Sequence, residues 1–305
     1  MSLETNNFDV IIIGGGPAGM SAAIGCAELG VAAILLEREA ELGGQLLWTY
    51  NAIENYPPFA AKNGRELRDH FLQRVESAGA MYLTNAVVAH ADLEKKTVTL
   101  ANGDRYAAKA IILATGVRRK LLNVPGEREF GGKGILESGI KDKEKARGKT
   151  VVIVGGGDAA VENACILSEV AKKIIVIHRR NHFTAQKRFN DTVNKSPNVD
   201  IMFDTRVTAI LGDVRVTAVE IQNISSEIRS TIDTDAVLIR IGVDPNTELF
   251  ADQIDVDDAR YVLPIGSCLT NLSAVYAAGD VANPTNLTIA AATTLGTESA
   301  QKTKI

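Results

Sequence analysis

The chain has 305 residues, of which 46% are hydrophobic and 23% charged, and its formal net charge is -4. This composition is typical of a globular protein long enough for two domains with separate cores. The small excess of acid gives no indication of a nucleic-acid-binding surface. No apolar run approaches the roughly 18 residues that a membrane-spanning helix needs, and the N-terminus lacks the basic and apolar segments of a signal peptide. We therefore expect a cytoplasmic protein that binds neither membrane nor nucleic acid.

The first strongly predicted strand runs from Asp9 to Ile13 and leads into a glycine-rich turn, Gly14-Gly-Gly16-Pro-Ala-Gly19, followed by an Ala-rich stretch typical of a helix. Strand, tight turn and helix in this order are what a dinucleotide site needs. The first glycine permits the turn, the second lets the backbone approach the pyrophosphate, and a small third residue lets the helix pack on the strand. The diphosphate then lies on unpaired N–H groups at the positive end of the helix dipole.

A second loop of the same kind, Gly155-Gly-Gly157-Asp-Ala-Ala160, follows a β-branched run from Thr150 to Val154. It also opens into an Ala-rich stretch. One such loop is a weak signal, but two in the same structural context predict an α/β chain that binds two dinucleotides.

The residues that end the next strand after each loop assign the two ligands. The run that starts at Ala32 ends in Glu37, whose carboxylate can accept hydrogen bonds from an adenosine ribose. The run that starts at Lys173 ends in His178, Arg179 and Arg180, with no acid. Two guanidinium groups suit a ribose 2′-phosphate, and a solvated basic turn is the alternative. We predict FAD at the first loop and NADPH, in preference to NADH, at the second.

The three cysteines, Cys26, Cys165 and Cys268, have no short spacing between any pair. A disulfide framework or a zinc site is therefore not expected. Cys26 and Cys165 fall within the two Ala-rich stretches, where a small buried residue is the simplest interpretation. We expect no metal site and no catalytic thiol among them.

A series of motifs in a fixed order covers nearly the whole chain: GGGPAG, GGQL, ENYP, ATG, PGE, GGGDAAVE, HRR, IGVDPNT and AAGD. In these motifs the chain resembles the low-molecular-weight thioredoxin reductases, which belong to the two-dinucleotide-domain flavoprotein disulfide reductases. The resemblance implies an α/β fold of two Rossmann-like domains and a homodimer. It places an FAD-binding domain at residues 1–116 and 245–305, with an NADPH-binding domain at residues 117–244 inserted into it.

The resemblance also implies which residues contact the cofactors. Asn55 is expected to form a hydrogen bond near the flavin N5 and O4, with a turn residue as the alternative. Asp280 ends an apolar strand, where a charge is costly unless it is hydrogen-bonded, and this favours a ligand role. The set expected at FAD is Gly14, Gly16, Pro17, Ala18, Gly19, Glu37, Arg38, Gly44, Gln45, Asn55, Thr115, Gly116, Gly279 and Asp280; the set expected at NADPH is Gly155, Gly157, Asp158, Ala159, His178, Arg179 and Arg180.

The chain departs from the family at the redox-active Cys-x-x-Cys pair. The family keeps this pair between a Gly-Lys-Gly and an Arg-Gly-Lys turn; both turns are present here, with the same 12 residues between them, but Ser138 and Lys141 stand at the cysteine positions. A hydroxyl and an ammonium group cannot perform thiol–disulfide exchange. Asp142, at the position of the family's proton donor, is expected to be only one charge in the run Lys141–Lys145. No catalytic residue is therefore assigned with certainty.

Several functions stay open once the dithiol is missing. The leading interpretation is a resemblance to the ferredoxin-NADP⁺ reductase branch of this fold, which lacks the CxxC pair and passes electrons to ferredoxin or flavodoxin. The basic segments 118–120 and 141–149 could bind such an acidic partner, although solvated basic loops are equally expected. The alternatives are a thioredoxin reductase-like NADPH oxidase or small-acceptor reductase, a thioredoxin-disulfide reductase after all, and a non-catalytic flavin- or nucleotide-binding redox sensor.

Overall fold

The computed structural model describes residues 5–57 and 59–304, which form two compact units. Unit 1 contains the described residues up to Arg118 and from Asp244 onward, and unit 2 is Arg119–Val243. Unit 2 is thus inserted into the sequence of unit 1. Which unit binds which dinucleotide stays a prediction at this point.

The secondary structure contains short strands and a few helices within the described ranges. The strands are β1 (Thr5–Asn7), β2 (Val10–Ile13), β3 (Ala33–Leu36), β4 (Ile53–Tyr56), β5 (Phe59–Ala61), β6 (Met81–Leu83), β7 (Val88–Asp92), β8 (Thr97–Leu100), β9 (Arg105–Ala107), β10 (Ala110–Leu113), β11 (Val117–Arg119), β12 (Ile135–Leu136), β13 (Thr150–Val154), β14 (Lys173–Ile177), β15 (Val199–Met202), β16 (Thr205–Gly212), β17 (Val216–Asn223), β18 (Arg229–Asp233), β19 (Ala236–Ile239), β20 (Val243–Pro245) and β21 (Val275–Ala277). The α-helices are α1 (Pro17–Glu28), α2 (Gly64–Ser77), α3 (Asp158–Ser168), α4 (Lys187–Lys195) and α5 (Ile289–Lys302), and short 3-10 helices cover Gly44–Trp48, Glu144–Ala146 and Asp280–Ala282.

Unit 1 is built on a five-stranded sheet in the order β21-β10-β2-β3-β6, in which every pair of neighbours is parallel. The alternate residues of β2 contact two different cores. Val10 and Ile12 pack on the side of α1, whereas Ile11 and Ile13 pack on the side of the second sheet, β1-β9-β8-β7. Because both faces of the sheet are covered, the strand is apolar at every position, as its sequence indicated.

Unit 2 repeats this arrangement with a parallel sheet in the order β12-β19-β13-β14-β15. Val151 and Ile153 of β13 pack with the apolar face of α3. Val152 and Val154 pack on the other side, with the antiparallel strands β16 and β17. Both units are therefore Rossmann-like α/β structures, and in both the glycine-rich loop follows the central strand. No helix in residues 5–57 and 59–304 combines the length and the apolar character needed to cross a membrane.

Candidate functional site

The first glycine loop is tightly packed at its two ends and open in the middle. Gly14 has φ 110°, and a Cβ there would stand 2.3 Å from the main-chain oxygen of Ala114. A Cβ on Gly19 would stand 1.8 Å from the Gly14 oxygen. Gly16 lies immediately before α1, and among the described residues only the Gly44 Cα comes within 4 Å of an added Cβ, at 3.9 Å. The loop thus leaves a space beside unpaired N–H groups at the start of α1, which fits a diphosphate.

Glu37 lies buried at the end of β3, and both of its carboxylate oxygens accept main-chain hydrogen bonds. Oε2 accepts from the Gly15 N–H at 2.6 Å, and Oε1 accepts from the Glu39 N–H at 2.8 Å. The carboxylate therefore fixes the glycine loop to the turn after β3. Each oxygen keeps a further lone pair for a ribose hydroxyl. Arg38 is exposed and pairs with Glu39 at 3.3 Å.

Two other segments approach the start of α1. A Cβ on Gly44, which has φ 51°, would stand 2.9 Å from the Gly16 Cα. A Cβ on Gly279, which has φ 77°, would stand 2.8 Å from the Ala18 Cβ. The two glycines come from distant parts of the sequence, and both permit close approach of main chain to the first loop. They line the same space that Gly16 leaves open.

Asp280 is the acid of this space. Its carboxylate has neither a hydrogen bond nor an ion pair with any residue in the described ranges, and burial raises its pKa from 3.8 to about 6. A partly buried carboxyl without a protein donor is costly when ionised. It is what a hydroxyl-bearing ligand such as the ribityl chain of FAD would satisfy. The residues of unit 1 thus fit this cofactor.

Asn246 and Gln45 of unit 1 each form hydrogen bonds with the segment 115–117. Thr115 donates Oγ1 to the Asn246 oxygen at 2.7 Å, and Asn246 donates Nδ2 to the Thr115 oxygen at 2.8 Å and its N–H to the Gly116 oxygen at 3.0 Å. Gln45 donates Nε2 to the Val117 oxygen at 2.7 Å. The side chains of Thr115 and Gln45 therefore each donate a hydrogen bond to the main chain of another segment.

Asn55 lies on strand β4 and is exposed. The alternative of a turn residue is therefore wrong, because β4 continues to Tyr56 and pairs with β5. No described residue forms a hydrogen bond with the Asn55 side chain. Its role at the flavin stays a prediction.

Sequence reasoning missed a cluster of charges that holds the loop before Gly44. Glu41 forms ion pairs with Arg68 at 2.7 Å and with Arg65 at 3.1 Å, both on α2. A Cβ on Gly43 would stand 2.8 Å from the Arg68 Cγ. The i, i+3 spacing of the two arginines, downstream of an acid-rich loop, is the only signal that could have suggested this contact.

The second glycine loop, in unit 2, has the same shape as the first. Gly155 has φ 140°, and a Cβ there would stand 2.0 Å from the Arg240 oxygen. Gly157 lies immediately before α3, and in the part of the chain that the structure describes only the Thr184 Oγ1 comes within 4 Å of an added Cβ, at 3.8 Å. This loop too is closed at its first glycine and open beside the start of its helix, where Ala159 is exposed.

The basic residues after β14 separate into two groups. Arg179 and Arg180 are exposed, and neither forms an ion pair with an acid in the described ranges. His178 is instead buried: a Cβ on Gly156 would stand 2.4 Å from its ring. Burial and the charges of Arg180 and Arg179 lower the pKa of His178, so its ring is neutral at neutral pH. The guanidinium pair is available to a phosphate, and the histidine supports the loop.

Asp158 occupies the first turn of α3 and pairs with the loop that follows Arg180. Its Oδ1 accepts from the Gln186 N–H at 2.7 Å, and its Oδ2 accepts from the Gln186 Nε2 at 2.8 Å. The carboxylate therefore stabilises the start of the helix and the adjoining loop. Its predicted contact with a dinucleotide stays a prediction.

Ser138 and Lys141 lie in one turn, and the Asp142 carboxylate accepts hydrogen bonds from the main chain of this turn. Ser138 is buried, and its Oγ accepts from the Ile140 N–H at 3.3 Å. The buried Asp142 Oδ2 accepts from the Glu137 and Ser138 N–H groups at 2.6 and 3.1 Å. Burial opposes ionisation of Asp142, but hydrogen bonds from Lys145 and these N–H groups outweigh it and lower its pKa. The expectation that Asp142 is merely one charge in a solvated run is therefore wrong.

Four of the five basic residues in segment 141–149 form ion pairs with acids. Lys141, Lys143, Lys145 and Arg147 form ion pairs with Glu137, Glu169, Asp142 and Glu144 at 2.5, 2.5, 2.7 and 2.7 Å. These ion pairs offset most of the positive charge that binding of an acidic protein would use. The expected docking role of residues 141–149 thus loses its electrostatic basis. Arg118 likewise pairs with Glu248.

The three cysteines are free, and burial raises the pKa of Cys26 to about 11. Among residues 5–57 and 59–304, no group of histidine, cysteine and acidic side chains is arranged to hold a metal ion.

Comparisons with known proteins agree with this geometry. The family model described as pyridine nucleotide-disulphide oxidoreductase matches residues 8–296. The thioredoxin reductase of Rickettsia prowazekii is 37% identical over 279 residues, which cover 89% of each chain. A protein from Clostridium pasteurianum, described as a 34.2 kDa protein in the rubredoxin operon, is 33% identical over 91% of this chain and 90% of its own. The crystal structure of Lactococcus lactis thioredoxin reductase in its FR conformation superposes with a TM-score of 0.87, at 30% identity and 97% coverage of both chains.

Proposed function

Because the chain belongs to the pyridine nucleotide-disulphide oxidoreductase family, we propose that it is a reductase that passes electrons from NADPH through FAD to an acceptor other than a thioredoxin disulfide. The coarser part of this assignment follows from the family: the chain is a thioredoxin reductase-like, FAD-dependent NAD(P)H oxidoreductase, and its cofactors are FAD and NADPH. The acceptor is the proposed part.

The residues of unit 1 support a role in holding FAD. The open space at Gly16 admits the pyrophosphate, and Glu37 has lone pairs for the ribose next to it. The Asp280 carboxylate would accept a hydroxyl hydrogen bond of the ribityl chain. FAD, when bound, can accept a hydride and release electrons singly or in pairs.

The residues of unit 2 support a role in holding NADPH. Gly157 leaves the start of α3 open to the pyrophosphate. Arg179 and Arg180 provide two exposed guanidinium groups, whose fork geometry matches a 2′-phosphate. NADH lacks this phosphate, so it would lose these contacts.

The observation that carries the proposal is the chemistry of the turn around Asp142. The two positions that correspond to the family's cysteines hold a serine whose hydroxyl faces its own main chain and a lysine paired with Glu137. Neither side chain can attack a disulfide or accept electrons from a flavin. None of the chain's three cysteines lies nearby in sequence to substitute for them.

The acceptor is proposed to be a small electron-transfer protein such as ferredoxin or flavodoxin. The relative from Clostridium pasteurianum, which is described as a protein in the rubredoxin operon, supports a small electron-transfer protein as partner. We also propose a homodimer, which the similarity to thioredoxin reductases implies. The ion pairs in the 141–149 segment argue against that segment as the docking surface, so the alternative of a small-molecule acceptor stays open.

The test is an anaerobic titration of the flavin-loaded protein with NADPH and, separately, NADH, followed through the flavin absorbance. Bleaching by NADPH is expected, with reoxidation by ferredoxin or flavodoxin. The same titration is carried out on the double variant Arg179→Gln/Arg180→Gln. Its matched control is Arg206→Gln, which removes one exposed charge of unit 2 away from the glycine loop.

Turnover of thioredoxin together with a disulfide substrate would contradict the proposal, and persistence of that turnover in Cys165→Ala would show that no half-exposed thiol carries it. An absence of bleaching by either nucleotide would favour the redox-sensor alternative. Reoxidation by oxygen or quinones alone, with no effect of a carrier protein, would favour the small-acceptor alternative.

A further inference from the structure

A short segment of unit 1, residues 41–48, lies against the first glycine loop. The Gly43 N–H donates to the Gly15 oxygen at 2.8 Å, and a Cβ on Gly15 would stand 2.6 Å from the Leu42 Cδ2. Gly44 of the same segment lines the open space before α1. The segment therefore forms one wall of the space that we assign to the FAD pyrophosphate.

Ion pairs with α2 hold the start of this segment. Arg68 donates Nη2 to the Glu41 Oε2 at 2.7 Å, and its Nε lies 3.2 Å from the Asp69 Oδ1. Arg65 pairs with the same Glu41 at 3.1 Å. The Arg68 side chain is 13% exposed, whereas that of Arg65 is 54% exposed. Because water weakens an exposed ion pair, Arg68 is the stronger partner of Glu41.

The aliphatic part of Arg68 also packs on the segment. Gly43 has φ 141°, and a Cβ there would stand 2.8 Å from the Arg68 Cγ. One side chain thus contacts the segment at two points, with its stem at Gly43 and its guanidinium at Glu41. The start of α2 is itself fixed, because the Asn63 side chain accepts from the Glu66 N–H at 3.0 Å. The helix is therefore a firm base from which Arg68 sets the position of the segment.

We propose that Arg68 is a positioning residue for FAD. Through Glu41 and Gly43 it fixes segment 41–48 against the first glycine loop, and it thereby determines how tightly unit 1 retains the cofactor. When the contact with Glu41 is lost, the segment has to be ordered as FAD binds, and this cost lowers the affinity. The proposal rests on the part of the proposed function that places FAD in unit 1, and it does not depend on the electron acceptor.

The segment carries its own spectroscopic probe. Trp48 is the single tryptophan of the chain, and it lies at the end of the 3-10 helix Gly44–Trp48, where it is 52% exposed. The anisotropy of its fluorescence in the flavin-free protein therefore measures how firmly the segment is held before any cofactor is added. The dissociation constant of FAD is measured on the same preparations by calorimetric titration.

The variants separate the ion pair from the stability of the helix. Arg68→Gln removes the charge, and Arg68→Lys keeps it. Glu41→Gln breaks the same pair from the side of the segment and leaves α2 unchanged, so the test stands even where Arg68→Gln does not fold. Arg74→Gln is the matched control, because Arg74 also lies on α2 and pairs with Glu28 of α1 at 2.8 Å.

We expect the dissociation constant of FAD to rise about tenfold in Arg68→Gln and in Glu41→Gln, since each loses a charge-assisted hydrogen bond. The Trp48 anisotropy should fall in both. Arg68→Lys should recover most of the FAD affinity and of the anisotropy, and Arg74→Gln should match the wild type. The double variant Arg68→Gln/Glu41→Gln should bind FAD no more weakly than either single variant, because both changes remove one interaction.

Wild-type FAD affinity in both Arg68→Gln and Glu41→Gln would overturn the proposal. An equal loss of affinity in Arg74→Gln would do the same, because the effect would then come from α2 as a whole. A lower melting temperature of Arg68→Gln with unchanged anisotropy and FAD affinity would assign Arg68 a purely structural role, and this also contradicts the proposal.

Flavin bleaching by NADPH is recorded on the same proteins after loading with excess FAD. FAD affinities in the expected order, without bleaching of any protein, would contradict the proposed function and leave the role of Arg68 intact. Normal bleaching together with equal FAD affinities in all variants would contradict the role of Arg68 alone.

Discussion

Replacing Asp280 by asparagine should stabilise the flavin-free protein, and only at pH values at which the wild-type carboxyl is ionised. Burial raises the pKa of Asp280 from 3.8 to about 6. The folded state therefore binds this proton more tightly than the unfolded state does. Below about pH 4 both states are protonated and the carboxyl carries no penalty. Stability is lost as the pH rises through 6.

The size of the effect follows from the distance between the two pKa values. About two pH units at about 1.36 kcal/mol each give a penalty of about 3 kcal/mol at pH 7 and above. For a unit of this size such a penalty corresponds to roughly 6–12 °C in the melting temperature. Asp280→Asn should therefore melt higher than the wild type by up to this amount at pH 7.5, and by much less at pH 4.5.

The assay is thermal unfolding of the flavin-free and flavin-loaded proteins across that pH range. Asp252→Asn, which removes an exposed acid of the same unit, is the matched control and should show no such pH-dependent gain. With FAD bound, a hydroxyl donor to the carboxylate would remove the penalty, so the gain in Asp280→Asn should shrink or change sign. A gain of equal size at both pH values, or in both variants, would refute the reasoning.

Three further outcomes are expected. Arg179→Gln/Arg180→Gln should raise the KM for NADPH by roughly 10- to 100-fold, because charge-assisted bonds to the 2′-phosphate are lost, and leave the KM for NADH nearly unchanged; an equal rise for both nucleotides in steady-state kinetics would contradict this. Gly19→Ala, whose Cβ would stand 1.8 Å from a main-chain oxygen, should lower the FAD content of the purified protein, whereas Gly155→Ala, with 2.0 Å to such an oxygen, should abolish bleaching by NADPH and keep the flavin. Because burial raises the pKa of Cys26 to about 11, its thiol should resist an aromatic disulfide reagent at pH 8 until the protein is denatured; rapid modification in the native state would show that the site opens.

The two glycine loops could be predicted from sequence because everything that determines them is local. An apolar strand, a turn that needs a positive φ at Gly14 or Gly155, and a helix opened by a small residue are adjacent in the chain. The choice of Glu37 against Arg179 and Arg180 depends only on which residue ends the next strand. These elements can be recognised without knowing any distant contact, because a strand in a sheet that is covered on both faces is apolar at every position.

The contacts that the sequence did not reveal join residues that are remote or ambiguous. Glu41 meets α2 only after the chain folds back. Asp142 is local, but a run of alternating charges does not show which carboxylate turns inward to the main chain. His178 follows a strand together with two arginines, yet the close approach of Gly156 buries it. The deciding contact differs in each case: arginine side chains hold Glu41, main-chain N–H groups hold Asp142, and close packing buries His178.

The same distinction applies to the missing dithiol. The sequence has no sulfur at positions 138 and 141, and the side chains there therefore cannot perform thiol–disulfide exchange. The structure adds what replaces it: Asp142 holds the main chain of this turn from inside, and the parallel pairing of β12 with β19 brings the Arg240 guanidinium to the turn's first carbonyl.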